Sequence, residues 1–249
     1  MTEEWIGLIP AAGKGIRLGL PYPKELYPVI RGNRYKPISQ FILDNLVTAG
    51  VRHVVFVINE TKHQLIGFFG DGHRFHCDIS YVVQERREED RSTSPGLAHA
   101  LASAQHLVKD KQVFFGMADT IIEPRDAYRK LNEAFEADAD LVMGLFPTQS
   151  PEKFGMVRMG KGGEVLEIVD KPKETDLQYM WGCMIWRPVF TEFLNQKVRD
   201  EGVGDFAAVM NAAINAGLRF RGAVIPGGSY YDLGTYQEII ELDRQFRQE

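Results

Sequence analysis

Apolar residues along this chain fall into short uninterrupted runs separated by stretches of helical spacing. Trp5 to Pro10 is apolar throughout and ends in a proline and small residues, which predicts a buried strand. Val54 to Ile58 is a second run with no polar face, and Val113 to Met117 is a third. Runs of this kind belong to strands covered on both sides, as in parallel sheets. Between them, Ile38, Phe41, Ile42, Leu46 and Val47 recur at helical spacing ahead of Gly50. Helices are also expected over 61–69, 96–108 and 124–136, and strands over 79–83 and 141–146. Beyond residue 150 short strands are expected at 155–159, 164–170 and 179–186, with Gly160, Gly162 and Gly163 in a hairpin turn. Helices at 188–199 and 205–216, a strand at 219–225 and a helix at 235–247 complete the pattern.

The alternation predicts an α/β fold: a doubly wound, mostly parallel, Rossmann-like sheet with helices on both faces and a small β insertion. We expect a single domain over 1–249, with 1–147 and 148–249 dividing the binding work. Ligands of such sheets sit beyond the carboxyl ends of the strands, so the loops 11–24, 84–96 and 118–120 should converge.

Composition narrows the classes. Hydrophobic residues make up 44% and charged residues 25% of the 249, which supports a sizeable core. The net charge of −5 argues against a nucleic-acid surface. No apolar run reaches the ~18 residues of a membrane span, and the acidic start is unlike a signal peptide. A cytoplasmic protein, with Cys77 and Cys183 as buried free thiols, is the expectation.

The loop after the first strand carries the clearest chemistry. Residues 11–24 hold three glycines, two prolines and the cations Lys14, Arg17 and Lys24. Small residues such as Ala12, Gly13 and Gly15 let backbone N–H groups approach phosphate oxygens. Arg17 can grip phosphate through two donors, and Lys24 adds a compact charge. A triphosphate needs such paired cations plus a metal. A dinucleotide loop would want glycine where Leu18 stands, and a P-loop would end in Gly-Lys-Ser/Thr.

The string Gly13-Lys14-Gly15-Ile16-Arg17-Leu18, followed by Pro23-Lys24-Glu25-Leu26, resembles the signature of the sugar-phosphate nucleotidyltransferases. That family includes glucose-1-phosphate thymidylyltransferases and uridylyltransferases, whose fold is the nucleotide-diphospho-sugar transferase type. The resemblance implies that Arg17 and Lys24 contact the triphosphate. It implies that Gln84 and Gly96, in Pro95-Gly96-Leu97-Ala98-His99-Ala100, hold the base edge. Asp119, after the third buried run, and Asp232, in Tyr230-Tyr231-Asp232-Leu233-Gly234-Thr235, would share one Mg²⁺. Asp170 and Lys171 would take the acceptor's hydroxyls and phosphate, with Gly155 and Gly182 lining the same pocket. On this reading Arg17, Lys24, Asp119 and Lys171 are the catalytic groups, 1–147 mainly binds NTP, and 148–249 mainly binds the sugar phosphate.

Two spacings depart from the nearest relatives. Arg17 and Lys24 are 24 − 17 = 7 apart, closer to the methylerythritol phosphate cytidylyltransferases. Gln84 and Gly96 are 96 − 84 = 12 apart, with the insertion ERREEDRSTS (85–94) between them as a lid, a partner contact or a solvated loop. The resemblance favours an enzyme that joins NMP from dTTP or UTP to a sugar 1-phosphate and releases pyrophosphate. A CTP-dependent transfer to a polyol phosphate, phosphocholine or phosphonate is the alternative of the same class. A catalytically silent nucleotide-binding subunit is the alternative of another class. The family often forms dimers or tetramers, so the resemblance implies a homo-oligomer, although no interface signature stands out.

Overall fold

The computed structural model describes residues 4–13, 15, 18–31, 34–84, 96–135 and 138–246. Arg17 and the insertion 85–94 lie outside the described residues. In chain order the first half comprises β1 (Trp5–Pro10), β2 (Pro28–Arg31), β3 (Arg34–Pro37), α1 (Ile38–Thr48), β4 (His53–Ile58), α2 (His63–Phe69) and β5 (Asp78–Val83). Next come α3 (Leu97–Ser103), α4 (Gln105–Val108), β6 (Gln112–Gly116), β7 (Thr120–Glu123), α5 (Ala127–Glu133) and β8 (Leu141–Pro147). The remainder is β9 (Gly155–Met159), β10 (Val165–Asp170), β11 (Tyr179–Trp186), α6 (Pro188–Glu201), α7 (Phe206–Asn215), β12 (Phe220–Val224), β13 (Ser229–Asp232) and α8 (Tyr236–Phe246).

Nine of these strands form one mixed sheet among the described residues, and its centre is the parallel set β6-β1-β4-β5. Apolar residues alternate between its two faces. Ile6, Leu8, Val55, Val57, Val113 and Phe115 face a cluster with α3, α6 and α7. Ile9, Val54, Phe56, Ile58 and Phe114 face a cluster with α1, α2 and α5. Burial on both sides explains why the central strands read as continuous apolar runs.

Antiparallel β11 carries the sheet onward. Cys183 to Trp186 pairs with β6 on one side and β8 on the other. Its first residues run past the carboxyl end of β6, where the β9–β10 hairpin joins through Met180 and Met156. The hairpin therefore stands beside the strand ends, which is the place of the expected β insertion. Parallel β12 pairs with β8 and completes the sheet.

Several elements differ from the sequence reading. The expected helix 96–108 is two helices that meet at Ala104, whose φ of −90° and ψ of 4° break the ladder. No Gly or Pro marks that break, and both helices pack on α6. The helix expected over 124–136 is confined to Ala127–Glu133. The hairpin β2–β3 and the short strands β7 and β13 have no counterpart in the sequence reading. These last two pair antiparallel, with Asp232 opposite Thr120. Ile121 and Ile122 of β7 are both buried, so the strand has no alternation to reveal it.

A third cluster pins the C-terminal helix. Ile239, Leu242 and Phe246 of α8 pack with Leu18, Val29, Ile38, Phe41, Ile121 and Leu233. Tyr236 donates its hydroxyl to the Leu18 carbonyl. The end of the chain thereby clamps the loop that follows the first strand.

Gly182 is a tight packing point near the cleft, for a Cβ there would lie 2.6 Å from Tyr230 Cδ2 and 2.7 Å from Phe146 Cδ2. Gly182→Ala should lower unfolding free energy by about 1–3 kcal/mol, the usual cost of overpacking. Urea unfolding checks this, and an unchanged midpoint would contradict the tight packing.

Candidate active site

The carboxyl ends of β1, β4, β5 and β6 meet, as the doubly wound pattern requires. Leaving β1, the chain is tied across to β4: Ala11 N donates to Val57 O at 2.7 Å, and Asn59 Nδ2 to Ala12 O at 2.8 Å. Gln84 follows β5, is 7% exposed, and donates its N–H to Ile58 O at 2.8 Å. Gly15 takes a left-handed φ of 63°, which a glycine adopts without strain.

A 3-10 turn over Lys24–Leu26 aims Lys24 at the strand ends. Its ammonium forms an ion pair with Asp119 Oδ2, both side chains being largely buried. Burial alone would lower the lysine's pKa. The Asp119 charge and hydrogen bond, with help from Glu25 and Asp232, outweigh it and leave the pKa raised, so Lys24 stays charged. Asp119 sits just before β7 and accepts from Leu233 N through its backbone at 3.2 Å. The β7–β13 ladder thus carries Asp232 to the same spot, and both aspartates line one cavity. The expected gathering of Lys24, Asp119 and Asp232 is present, with Arg17 outside the described residues.

This cavity encloses about 710 Å³. It is lined by Gly96, Asp119, Thr120 and Asp232 together with Phe154, Gly155, Asp170, Lys171 and Trp181. Gly155 lies opposite Asp170 in the β9–β10 ladder. Lys171 N donates to Phe154 O at 3.0 Å, and its Nζ is 3.4 Å from Asp170 Oδ2. Lys171 also holds a φ of 45°, a left-handed conformation costly for a residue with a Cβ. Its side chain is exposed, able to reach toward an anion in the cavity. Ala12 and Gly13 lie on the connection above β1, while Gly15 and Lys24 border a smaller adjacent cavity of about 190 Å³ with Tyr22, Thr61 and Lys62. Gly182 lies inside the wall, beneath Tyr230, which itself lines the cavity.

The donor set fits Mg²⁺. That ion is held by one or two carboxylates and completes its shell with water and substrate phosphates. Asp119 and Asp232 supply two carboxylates, and no cluster of three or more metal-ligating side chains occurs among the described residues. Enclosure pushes the Tyr230 phenol well above its ordinary pKa, with the Asp232 and Asp119 charges adding to it, so it remains a neutral neighbour.

Some of this wall was not foreseen. Gly204, Asp205 and Phe206 line the cavity next to Gly96. Gly96 has to lack a side chain because a Cβ would overlap the Gly204 carbonyl. Asp205 caps α7 by accepting from Ala208 N at 2.7 Å. Asn59 stands after a buried strand, as Asp119 and Gln84 do, and that position was the signal available for it.

Beneath Lys24 a second ion pair joins Lys62 to Glu25, with side chains only 4% and 2% exposed. Burial pushes Glu25 up, and Lys62 only partly offsets this; burial likewise pulls Lys62 down. Desolvation therefore exceeds attraction for both partners.

A family model described as "Nucleotidyl transferase" matches residues 6–249. A low-salt glycan biosynthesis nucleotidyltransferase of Haloferax volcanii is 24% identical over 96% of this chain and 65% of its own length. A glucose-1-phosphate thymidylyltransferase of Streptomyces griseus is 26% identical over 95% of this chain and 64% of its own. The chain thus spans about two-thirds of the length of these relatives. A solved UDP-glucose pyrophosphorylase complexed with UDP-glucose shares the fold, with a TM-score of 0.79, 20% identity and coverage of 98% of this chain and 99% of that one.

Removing Lys62 should strand the buried Glu25 carboxylate. Because the folded pKa of Glu25 is raised above its unfolded value, its contribution favours folding below the unfolded pKa and is lost as pH rises through the folded pKa. Lys62→Met should therefore cost about 3 kcal/mol at neutral pH and clearly less near the acid end of the folded range. Urea unfolding at the two pH values measures this, and a pH-independent cost would contradict it.

Proposed function

The chain belongs to the nucleotidyl transferase family, and we propose that its cleft joins the NMP unit of dTTP or UTP to a sugar 1-phosphate, giving an NDP-sugar and pyrophosphate. The observation that carries this reading is the Lys24–Asp119 ion pair with Asp232 beside it, at a cavity that Asp170 and Lys171 also line. Two anionic substrates can be neutralised there by separate cations, Lys24 and Lys171. The names of the relatives favour thymidylyl or uridylyl transfer to glucose 1-phosphate.

The acceptor phosphate oxygen attacks the α-phosphorus in line, the bond to the β-phosphate oxygen breaks, and pyrophosphate leaves. A phosphate dianion needs no protein nucleophile, so the residues position and neutralise. Lys24, with Arg17, grips the triphosphate near the α-phosphate. Ala12, Gly13 and Gly15 offer backbone donors. Gln84 and Gly96 hold the pyrimidine edge, the amide matching a uracil or thymine imide with one donor and one acceptor. Lys171 neutralises the incoming phosphate, Asp170 accepts from sugar hydroxyls, and Gly155 leaves room at the same wall. Asp119 and Asp232 would hold Mg²⁺, which when bound offsets charge on the triphosphate and the departing pyrophosphate. A cytoplasmic homo-oligomer acting on small molecules, with neither nucleic acid nor membrane as partner, accords with this role. Among the described residues no helix is long and apolar enough to cross a membrane.

Pyrophosphate release measured over four NTPs crossed with sugar 1-phosphates, polyol phosphates and phosphocholine tests the reading. We expect turnover with dTTP or UTP and a sugar 1-phosphate. Lys24→Ala and Asp119→Asn should each lower it by about 10²-fold or more, the usual scale for one such electrostatic group. Silence across the grid, or full turnover in both variants, would overturn it.

A further inference from the structure

The acceptor wall contains a device that the roles above leave unused. Along β11, Tyr179 and Trp181 pack with Met184 and Trp186 on the α3/α6/α7 face, while Met180, Cys183 and Ile185 pack on the other. The two-residue alternation therefore slips between Trp181 and Cys183. The pairing with β8 slips at the same point: Trp181 lies opposite Leu145 and Cys183 opposite Gly144, so Gly182 is an extra residue. Such a bulge re-aims side chains. Without it, Trp181 would share a face with Cys183.

The re-aimed indole is firmly seated. It meets the Phe206 ring edge-on at 6.0 Å and lies 6.3 Å from the Phe115 ring. Its pyrrole edge rests on Gly155, where any Cβ would overlap Nε1. Gly155 is the register partner of Asp170, so indole, carboxylate and Lys171 form one continuous surface. The indole N–H is buried with no acceptor among the described residues, which marks this wall as wanting an oxygen that those residues do not supply.

Resting on the proposed sugar-phosphate reading, we propose that Trp181 is the specificity-determining residue of the acceptor site. Its indole is the platform for the apolar CH face of a pyranose 1-phosphate, and its N–H is the donor for a sugar oxygen at the platform's edge. Asp170 and Lys171 take the hydroxyls and the phosphate alongside. A ring is selected by this surface, and an open-chain polyol phosphate leaves the platform uncovered.

Trp181→Phe keeps a ring and removes the N–H; Trp181→Ala removes the platform. Each is assayed by pyrophosphate release with glucose 1-phosphate, glycerol 3-phosphate and phosphocholine. Glucose 1-phosphate binding is read separately from tryptophan fluorescence. For the sugar phosphate, KM should rise about threefold in Trp181→Phe, the scale of one hydrogen bond, and about tenfold in Trp181→Ala, the scale of an aromatic contact. The KM for NTP should stay within twofold, and the preference for the ring over glycerol 3-phosphate should shrink. If Trp181→Ala does not fold, Trp181→Phe decides. An active wild type whose variants keep acceptor KM and preference unchanged overturns the platform alone, whereas a wild type that prefers phosphocholine overturns the sugar-phosphate reading together with it. A wild type that neither releases pyrophosphate nor binds glucose 1-phosphate overturns both readings.

Discussion

The ion pair between Lys24 and Asp119 joins two segments that sequence separates by 95 positions. One is a proline-flanked turn after the first strand, and the other is the end of the fourth central strand. Opposite charges brought this close in a largely buried place fix each other's position, and the attraction outweighs the burial that would otherwise lower the lysine's pKa. The remaining groups are arranged about that contact. The β7–β13 ladder lays Asp232 beside it, and α8 clamps the chain on the Leu18 side. The buried Lys62–Glu25 pair lies directly below, at a cost in desolvation that accompanies a fixed conformation for the turn.

The opposite wall is organised by geometry of the sheet. Because β11 runs antiparallel and overshoots β6, its first residues have no β6 neighbour, and the β9–β10 hairpin takes up that edge. The hairpin delivers Asp170 and Lys171 to the cavity that the aspartates line. One extra residue at Gly182 then decides which side of the strand carries the indole. Three glycines at close approaches, Gly96, Gly155 and Gly182, let the walls draw together where a methyl group would overlap a neighbour.

Much of the central sheet was legible in the sequence, because strands buried on both faces write themselves as unbroken apolar runs. Val54 to Ile58 is the plain example. The Lys24, Asp119 and Asp232 gathering was legible through resemblance to a family signature, since no periodicity could bring residues so distant together. The short strands β7 and β13 were hidden because each has four residues and Ile121 and Ile122 are both buried. The break at Ala104 was hidden because an alanine-rich stretch favours continuous helix and no Gly or Pro interrupts it. Nothing local foretold the Glu25–Lys62 pair, which depends on a tertiary contact between a turn and the residue preceding α2. The bulge at Gly182 was equally silent, since a glycine in a strand has several uses.

The central claim is that Lys24 and the two aspartates surround a single metal-loaded triphosphate. Electron paramagnetic resonance of Mn²⁺, titrated with and without UTP, addresses it directly. The account predicts one Mn²⁺ per chain, bound tightly only when the nucleotide is present and lost in both Asp119→Asn and Asp232→Asn. Tight Mn²⁺ binding that ignores the nucleotide, or that survives both substitutions, would contradict it.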